Sequence, residues 1–214
     1  MKNLFLSSIA ANMVVEFTKI FELNPINTRV AFIPNAADRY PDPWFMINDK
    51  NALKKLGYNL DIIDLKEVQD SFLYDRLCKA NVIFVAGGNT FDLLNIANES
   101  GFLSQCRGRV NDGTIYFGSS AGSVLAAKDI SPIRFFDQAP DDMPSTKALS
   151  LVDFLPIPHL GNPKYSESFA NLFKVSSTID SIIAFTDFQS LLIHDSFIEI
   201  IEQDPLLNEP KDNK

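Results

Sequence analysis

Apolar residues follow two rhythms along this chain, and the rhythms alternate. Arg29 to Pro34 (Arg-Val-Ala-Phe-Ile-Pro) and Asn81 to Ala86 (Asn-Val-Ile-Phe-Val-Ala) are short, almost continuous apolar runs. Such runs mark strands covered on both faces. Lys2 to Ser8 is a similar short run, Tyr58 to Leu65 alternates as a strand does, and Thr114 to Phe117 is another strand. Helical patterning fills the intervals: Ala10 to Glu22, Trp44 to Leu56 with Gly57 as its stop, Glu67 to Lys79, Thr90 to Asn98, and a short helix ending near Gly113. A further helix starts at Ala121 and runs toward Ala127.

Strand–helix alternation over two-thirds of the chain predicts an α/β fold with a doubly wound, mostly parallel sheet. The end differs. Ser181 to Phe185, Ser190 to Ile193 and Phe197 to Ile201 are short runs set close together, which predicts a terminal meander or β-hairpin. No repeat, low-complexity tract or linker interrupts the pattern. The expectation is one domain over residues 1–205 and a polar tail over 206–214.

Bulk properties narrow the function. A chain of 214 residues with 46% hydrophobic content can bury a sizeable core in one domain. Its net charge of −8 argues against nucleic acid and anionic membranes as partners, since both call for clustered Lys and Arg. Ser7, Ser8 and Asn12 break the first apolar stretch, whose only early charge is Lys2, so it does not read as a signal peptide. No run approaches the roughly 18 apolar residues of a membrane span. A cytoplasmic protein is expected. Cys78 and Cys106 match no metal-ligand spacing, and neither metal nor cofactor is expected.

The chemistry centres on Gly118-Ser119-Ser120-Ala121-Gly122, between an apolar strand and a helix. A serine hydroxyl is a weak nucleophile unless it is held exposed beside a base. A Gly-x-Ser-x-Gly elbow does this, with small residues permitting a tight strand–helix turn and the helix N-terminus favouring a developing oxyanion. The competing reading is a phosphate-binding turn. The Walker lysine it would need is replaced by Ser123 and Val124.

A nucleophilic serine needs an imidazole, and the chain has two histidines, His159 and His194. His159 follows the run Phe154-Leu155-Pro156-Ile157-Pro158, at an expected strand end, where sites of open α/β sheets collect. His194 lies between two apolar runs, in an apparent hairpin turn. Placement favours His159. Spacing leaves the acid open among Asp142, Asp153, Asp187 and Asp195. The order Ser120, His159, Asp187 differs from the nucleophile–acid–base order of α/β-hydrolases.

Four segments, in order, resemble the peptidase E family of aspartyl dipeptidases and their cyanophycinase relatives. They are Gly87-Gly88-Asn89-Thr90-Phe91, the elbow, Asp142-Met143-Pro144 and Pro158-His159. The resemblance covers about Arg29 to Ile193. It implies a class I glutamine amidotransferase-like fold with serine as nucleophile at Ser120, His159 as base, and an oxyanion hole from the N–H groups of Gly88 and Ala121. Asp187 falls where the family has a glutamate, and Asp142 on a family aspartate tied to activity; these are the two candidates for the acid. Asn89 and Lys164 are the candidate substrate contacts. The family's Arg-containing segment after the histidine is not matched by Asn162 to Lys174, which holds no arginine. A carboxylate is best gripped by a bidentate Arg, so a peptidase of short peptides carries over better than N-terminal Asp-Xaa specificity. The alternative is an inactive binding or regulatory protein on the same scaffold, which a His159 out of reach of Ser120 would favour. Oligomeric state is not legible.

Overall fold

The computed structural model describes residues 2–140, 143–175 and 181–203. The elements are β1 (Asn3–Ser7), α1 (Ala10–Ile20), β2 (Arg29–Ile33), α2 (Trp44–Leu56), β3 (Asn59–Ile62), α3 (Asp70–Cys78) and β4 (Val82–Val85). There follow α4 (Thr90–Glu99), α5 (Phe102–Asn111), β5 (Ile115–Ser119), α6 (Ala121–Val124), β6 (Leu155–Ile157), α7 (Ser166–Val175), β7 (Ile182–Ala184), β8 (Gln189–His194) and β9 (Phe197–Glu202).

Seven strands form one sheet in the order β3-β2-β4-β5-β1-β8-β9. The first five run parallel, while β8 pairs antiparallel with both β1 and β9. The expected α/β, mostly parallel architecture is present. Strand side chains alternate between two cores, as period-2 geometry requires. Leu4, Leu6, Ala31, Ile33, Ile83, Val85 and Tyr116 point to the face covered by α3, α4 and α5. Phe5, Val30, Phe32, Val82, Phe84 and Phe117 point to the face covered by α1 and α2. The second core is rich in aromatic contacts, with Phe17 and Phe117 ring centroids 4.3 Å apart and Phe32 and Phe84 stacked at 4.9 Å.

Two expectations change. The C-terminal hairpin forms as β8–β9, but the Ser181–Phe185 run does not join it. Instead β7 pairs in parallel with β6, Leu155 opposite Ile182 and Ile157 opposite Ala184, in a separate two-stranded sheet. The elbow helix stops at Val124 rather than continuing to Ala127. Its next carbonyls are taken by another segment: Leu125, Ala126 and Ala127 accept from the N–H groups of Leu149, Leu151 and Ser150. Those pairs replace the bonds that would have extended the helix. The tail over 206–214 lies outside the described residues.

Among the described residues, no helix is long and apolar enough to cross a membrane. What matters for chemistry is where strands end. β1, β4 and β5 lie side by side and parallel, so Ser8, Gly87–Gly88 and Ser120 emerge on one edge. The small β6–β7 sheet brings His159 and Asp187 to the same place.

Candidate active site

Ser120 sits in the turn between β5 and α6 with φ 49° and ψ −110°, outside the regions an L-residue prefers. The sequence makes that turn possible by removing side chains around it. A Cβ on Gly122 would lie 2.0 Å from the carbonyl oxygen of Val85, so only glycine lets the elbow pack against β4. The turn is also tied to β1: Ser120 N–H donates to the Ser7 carbonyl at 3.0 Å, and Ser123 Oγ donates to the same carbonyl at 2.7 Å.

His159 faces this serine, with Nε2 2.9 Å from Ser120 Oγ. Its Nδ1 lies 2.6 Å from Asp187 Oδ1. A carboxylate only accepts, so Nδ1 carries the proton and Nε2 presents its lone pair to the serine hydroxyl. Tyr165 stacks on the imidazole with ring centroids 4.9 Å apart and planes 19° from parallel. That contact limits tilting of the ring.

Asp187 is held from several sides. Ser8 Oγ donates to its Oδ1 at 2.7 Å and Asn162 Nδ2 donates to its Oδ2 at 2.8 Å. Burial by itself pushes the Asp187 carboxyl up, but hydrogen bonds from His159, Ser8 and Asn162 together outweigh it and hold the group down at about 2. The carboxylate is therefore ionised near neutrality. Ser8 Oγ also accepts from the His159 backbone N–H at 2.9 Å, which links β1 to the loop after β6.

Around these groups lies a cavity of about 300 Å³. Gly88 and Ala121 line it beside Ser120, and neither backbone N–H donates to another group among the described residues. Gly88 is fixed by its surroundings: its φ is 147°, and a Cβ there would lie 1.9 Å from the Ala36 carbonyl oxygen. Two free amides beside a serine hydroxyl are the donor pair that an oxyanion requires.

The other expected positions divide. Lys164 lines the cavity, exposed, with Nζ 5.0 Å from the Tyr165 ring centroid. Asn89 does not line it. Its side-chain oxygen caps α4 by accepting from Phe91 and Asp92 N–H, and its Nδ2 donates to the Gln138 carbonyl. The side chain expected to meet substrate is thus engaged in these structural bonds. Asp142 lies outside the described residues. Asp153 is exposed, away from the cavity lining. His194 ends β8 and Asp195 begins the β8–β9 turn, where His194 Nδ1 meets Asn3 Oδ1 and Asp195 accepts from Lys2 N–H. Since Asn3 and Ser7 are opposite ends of β1, that turn is roughly 13 Å from the Ser8 end.

Three contributors are not legible in the sequence: Ser8, Asn162 and Tyr165. Ser8 ends an apolar run far from any motif, and no local signal marks it. Asn162 and Tyr165 stand in the segment after His159, where attention falls on the missing arginine.

Comparison with known proteins places the chain. The family model described as Peptidase family S51 matches residues 10–201. An uncharacterized peptidase of Pasteurella multocida is 30% identical over 197 residues, covering 91% of this chain and 94% of that protein. A peptidase E of Actinobacillus pleuropneumoniae is 35% identical over 137 residues, covering 64% of this chain and 54% of that protein. A crystal structure of a peptidase E candidate from Listeria monocytogenes superposes with TM-score 0.87 at 28% identity, over 95% of this chain and 100% of that one. A peptidase from an acI-B1 actinobacterium shares the fold, with TM-score 0.74 at 16% identity over 94% and 88% of the two chains.

Proposed function

The chain belongs to peptidase family S51 and is a serine-type peptidase; from that premise we propose that Ser120, His159 and Asp187 form its catalytic triad. The observation that carries the reading is the continuous relay of Ser120 Oγ to His159 Nε2 at 2.9 Å and His159 Nδ1 to Asp187 at 2.6 Å. His159 takes the Ser120 proton as Oγ attacks the peptide carbonyl. The N–H groups of Gly88 and Ala121 receive the oxyanion. His159 then protonates the leaving amine, and an acyl-enzyme remains on Ser120. Water, deprotonated by the same imidazole, releases the acid and restores the serine. Asp187 stays ionised throughout and stabilises the imidazolium.

A cavity of about 300 Å³ lies at the small end of ligand sites and suits short peptides, dipeptides among them. An Asp-Xaa preference would need a cation at the cavity wall. Lys164 is the only Lys or Arg among the described residues lining it, exposed and lying over Tyr165. The unpaired Cys78 and Cys106 suit the reducing cytoplasm in which we place the enzyme. A histidine out of reach of Ser120 would favour the inactive-scaffold reading, and the 2.9 Å separation instead supports the active one.

A fluorophosphonate probe tests the nucleophile. Wild type should label covalently at Ser120, and Ser120→Ala should not label and should lose roughly 10⁴-fold or more in kcat/KM. Equal labelling of the variant would sink the assignment.

A further inference from the structure

Resting on the serine-peptidase reading, we propose that Asp137 is the anchor for a substrate's free α-ammonium group, and that the cavity selects peptides with an apolar rather than acidic first residue.

Asp137 lines the cavity and is mostly buried. Its Oδ2 accepts from both Thr90 N–H at 2.8 Å and Thr90 Oγ1 at 2.6 Å. Its Oδ1 makes no hydrogen bond among the described residues, yet it is not sealed off as a buried unsatisfied atom. One oxygen is thus locked in place and the other is open to a donor. Asn89 takes the Phe91 and Asp92 N–H groups at the start of α4 and Asp137 Oδ2 takes that of Thr90, so the helix start accounts for Oδ2 and leaves Oδ1 without a structural use.

The nearby cation does not neutralise it. Arg39 is held in a two-pronged pair with Asp92 through Nε and an NH2 group. A desolvated carboxylate without a partner cation favours a ligand that brings one. Asn89 Nδ2 donates to the Gln138 carbonyl at 3.1 Å, so the Asp137 loop is fastened to the Gly87–Thr90 turn before substrate arrives.

Position gives the anchor its meaning. Thr90, which holds the carboxylate, is two residues beyond Gly88, the proposed oxyanion donor. Two residues span at most roughly 7 Å of backbone. An ammonium on Asp137 therefore belongs to the first residues of a peptide whose carbonyl lies at Ser120. The cavity wall is mostly apolar and aromatic, with Tyr40, Trp44, Phe45, Ile133 and Phe136 in its lining, while its lysine, Lys164, is exposed and lies over Tyr165. A substrate carboxylate placed there would lose water and face Asp137, which disfavours an acidic first residue.

Equilibrium binding to the Ser120→Ala protein, read by titration calorimetry, tests this without turnover. Phe-Leu should bind at least roughly tenfold more tightly than N-acetyl-Phe-Leu and than Asp-Leu. Adding Asp137→Asn should bring the Phe-Leu to N-acetyl-Phe-Leu ratio close to one. Equal binding of the acetylated peptide, tighter binding of Asp-Leu, a ratio that survives Asp137→Asn, or no binding of any of the three overturns the proposal. The acetyl comparison needs no change at Asp137, so it stands even if that variant folds poorly. The underlying reading fails separately, if wild type binds these peptides with the expected preference but neither cleaves them nor labels with fluorophosphonate.

Discussion

His159 has two nitrogens with opposite duties, and each duty is set by a neighbour. Asp187 accepts from Nδ1, which leaves Nε2 free to accept from Ser120. Asp187→Asn can present an amide N–H to Nδ1 and so favour the wrong tautomer. The expected result is a loss of roughly 10³–10⁴-fold in kcat with KM little changed, measured on a chromogenic peptide. Ser8→Ala keeps the carboxylate but removes one of its donors, and a smaller loss of about tenfold is expected. The stability effect of Asp187 has a definite sign. Its folded value of about 2 lies below the ordinary 3.8, so its contribution is complete above about pH 4 and is lost as pH falls through about 2. Asp187→Asn should therefore flatten the denaturation profile across that acid interval and leave the slope near neutrality alone.

Between elements, the start of α1 shows a cap that local sequence does not contain. Ile9 precedes α1 and offers no side-chain acceptor. Asp49, from α2, supplies one to Ala11 N–H at 2.8 Å. Burial pushes the Asp49 carboxyl up to about 6, against hydrogen bonds from Ser119 and Ala11 that pull it down. A folded value above the ordinary 3.8 means that ionising Asp49 opposes folding. That cost grows from about pH 4 to about pH 6 and is constant above. Asp49→Asn keeps an acceptor and removes the charge. Urea unfolding should show it about 3 kcal/mol more stable than wild type at pH 8, with most of that difference gone at pH 4. An equal gain at both pH values would contradict this account. Elsewhere the elements follow local rules: α2 ends at Gly57 in the left-handed region, as its sequence predicts.

For the molecule as a whole, the first strand is paired with one from late in the chain. β8 pairs with β1 along its full length, and Asp195 Oδ1 accepts from Lys2 N–H. Leu191 and Ile193 enter one core while Leu192 packs against the other. The hairpin thus covers the edge of the strand that supplies Ser8. Ending the chain after Phe188 retains Ser120, His159 and Asp187 yet strips β1 of its neighbour. The shortened protein should aggregate or form oligomers and lose activity, as read by size-exclusion chromatography with light scattering. A soluble, active product would show that the hairpin is dispensable. In the intact chain β9 takes over the edge and leaves Phe197, Ile198 and Ile200 exposed on it.

The sequence by itself determined the strands of the main sheet, the helices that alternate with them as far as the elbow, and the Gly-x-Ser-x-Gly turn, whereas α7 was not foreseen. These features are local: periodicity of apolar residues sets which face is buried, and small residues around Ser120 permit one sharp turn. Its place after an apolar run also favoured His159 over His194 as the candidate base. Only the tertiary structure decided which groups meet. Asp187 stands 67 positions from Ser120, and spacing left four aspartates as candidates for the acid; strand pairing sets Asp187 against the imidazole, while Asp142 lies outside the described residues. Ser8 and Asp137 carried no motif, because their significance comes from neighbours distant in sequence. The β6–β7 pairing was hidden for the same reason: three residues on each strand carry too little pattern to name a partner. Spacing along the chain records local geometry, whereas a site assembled from five strand ends depends on parallel pairing that no short window contains.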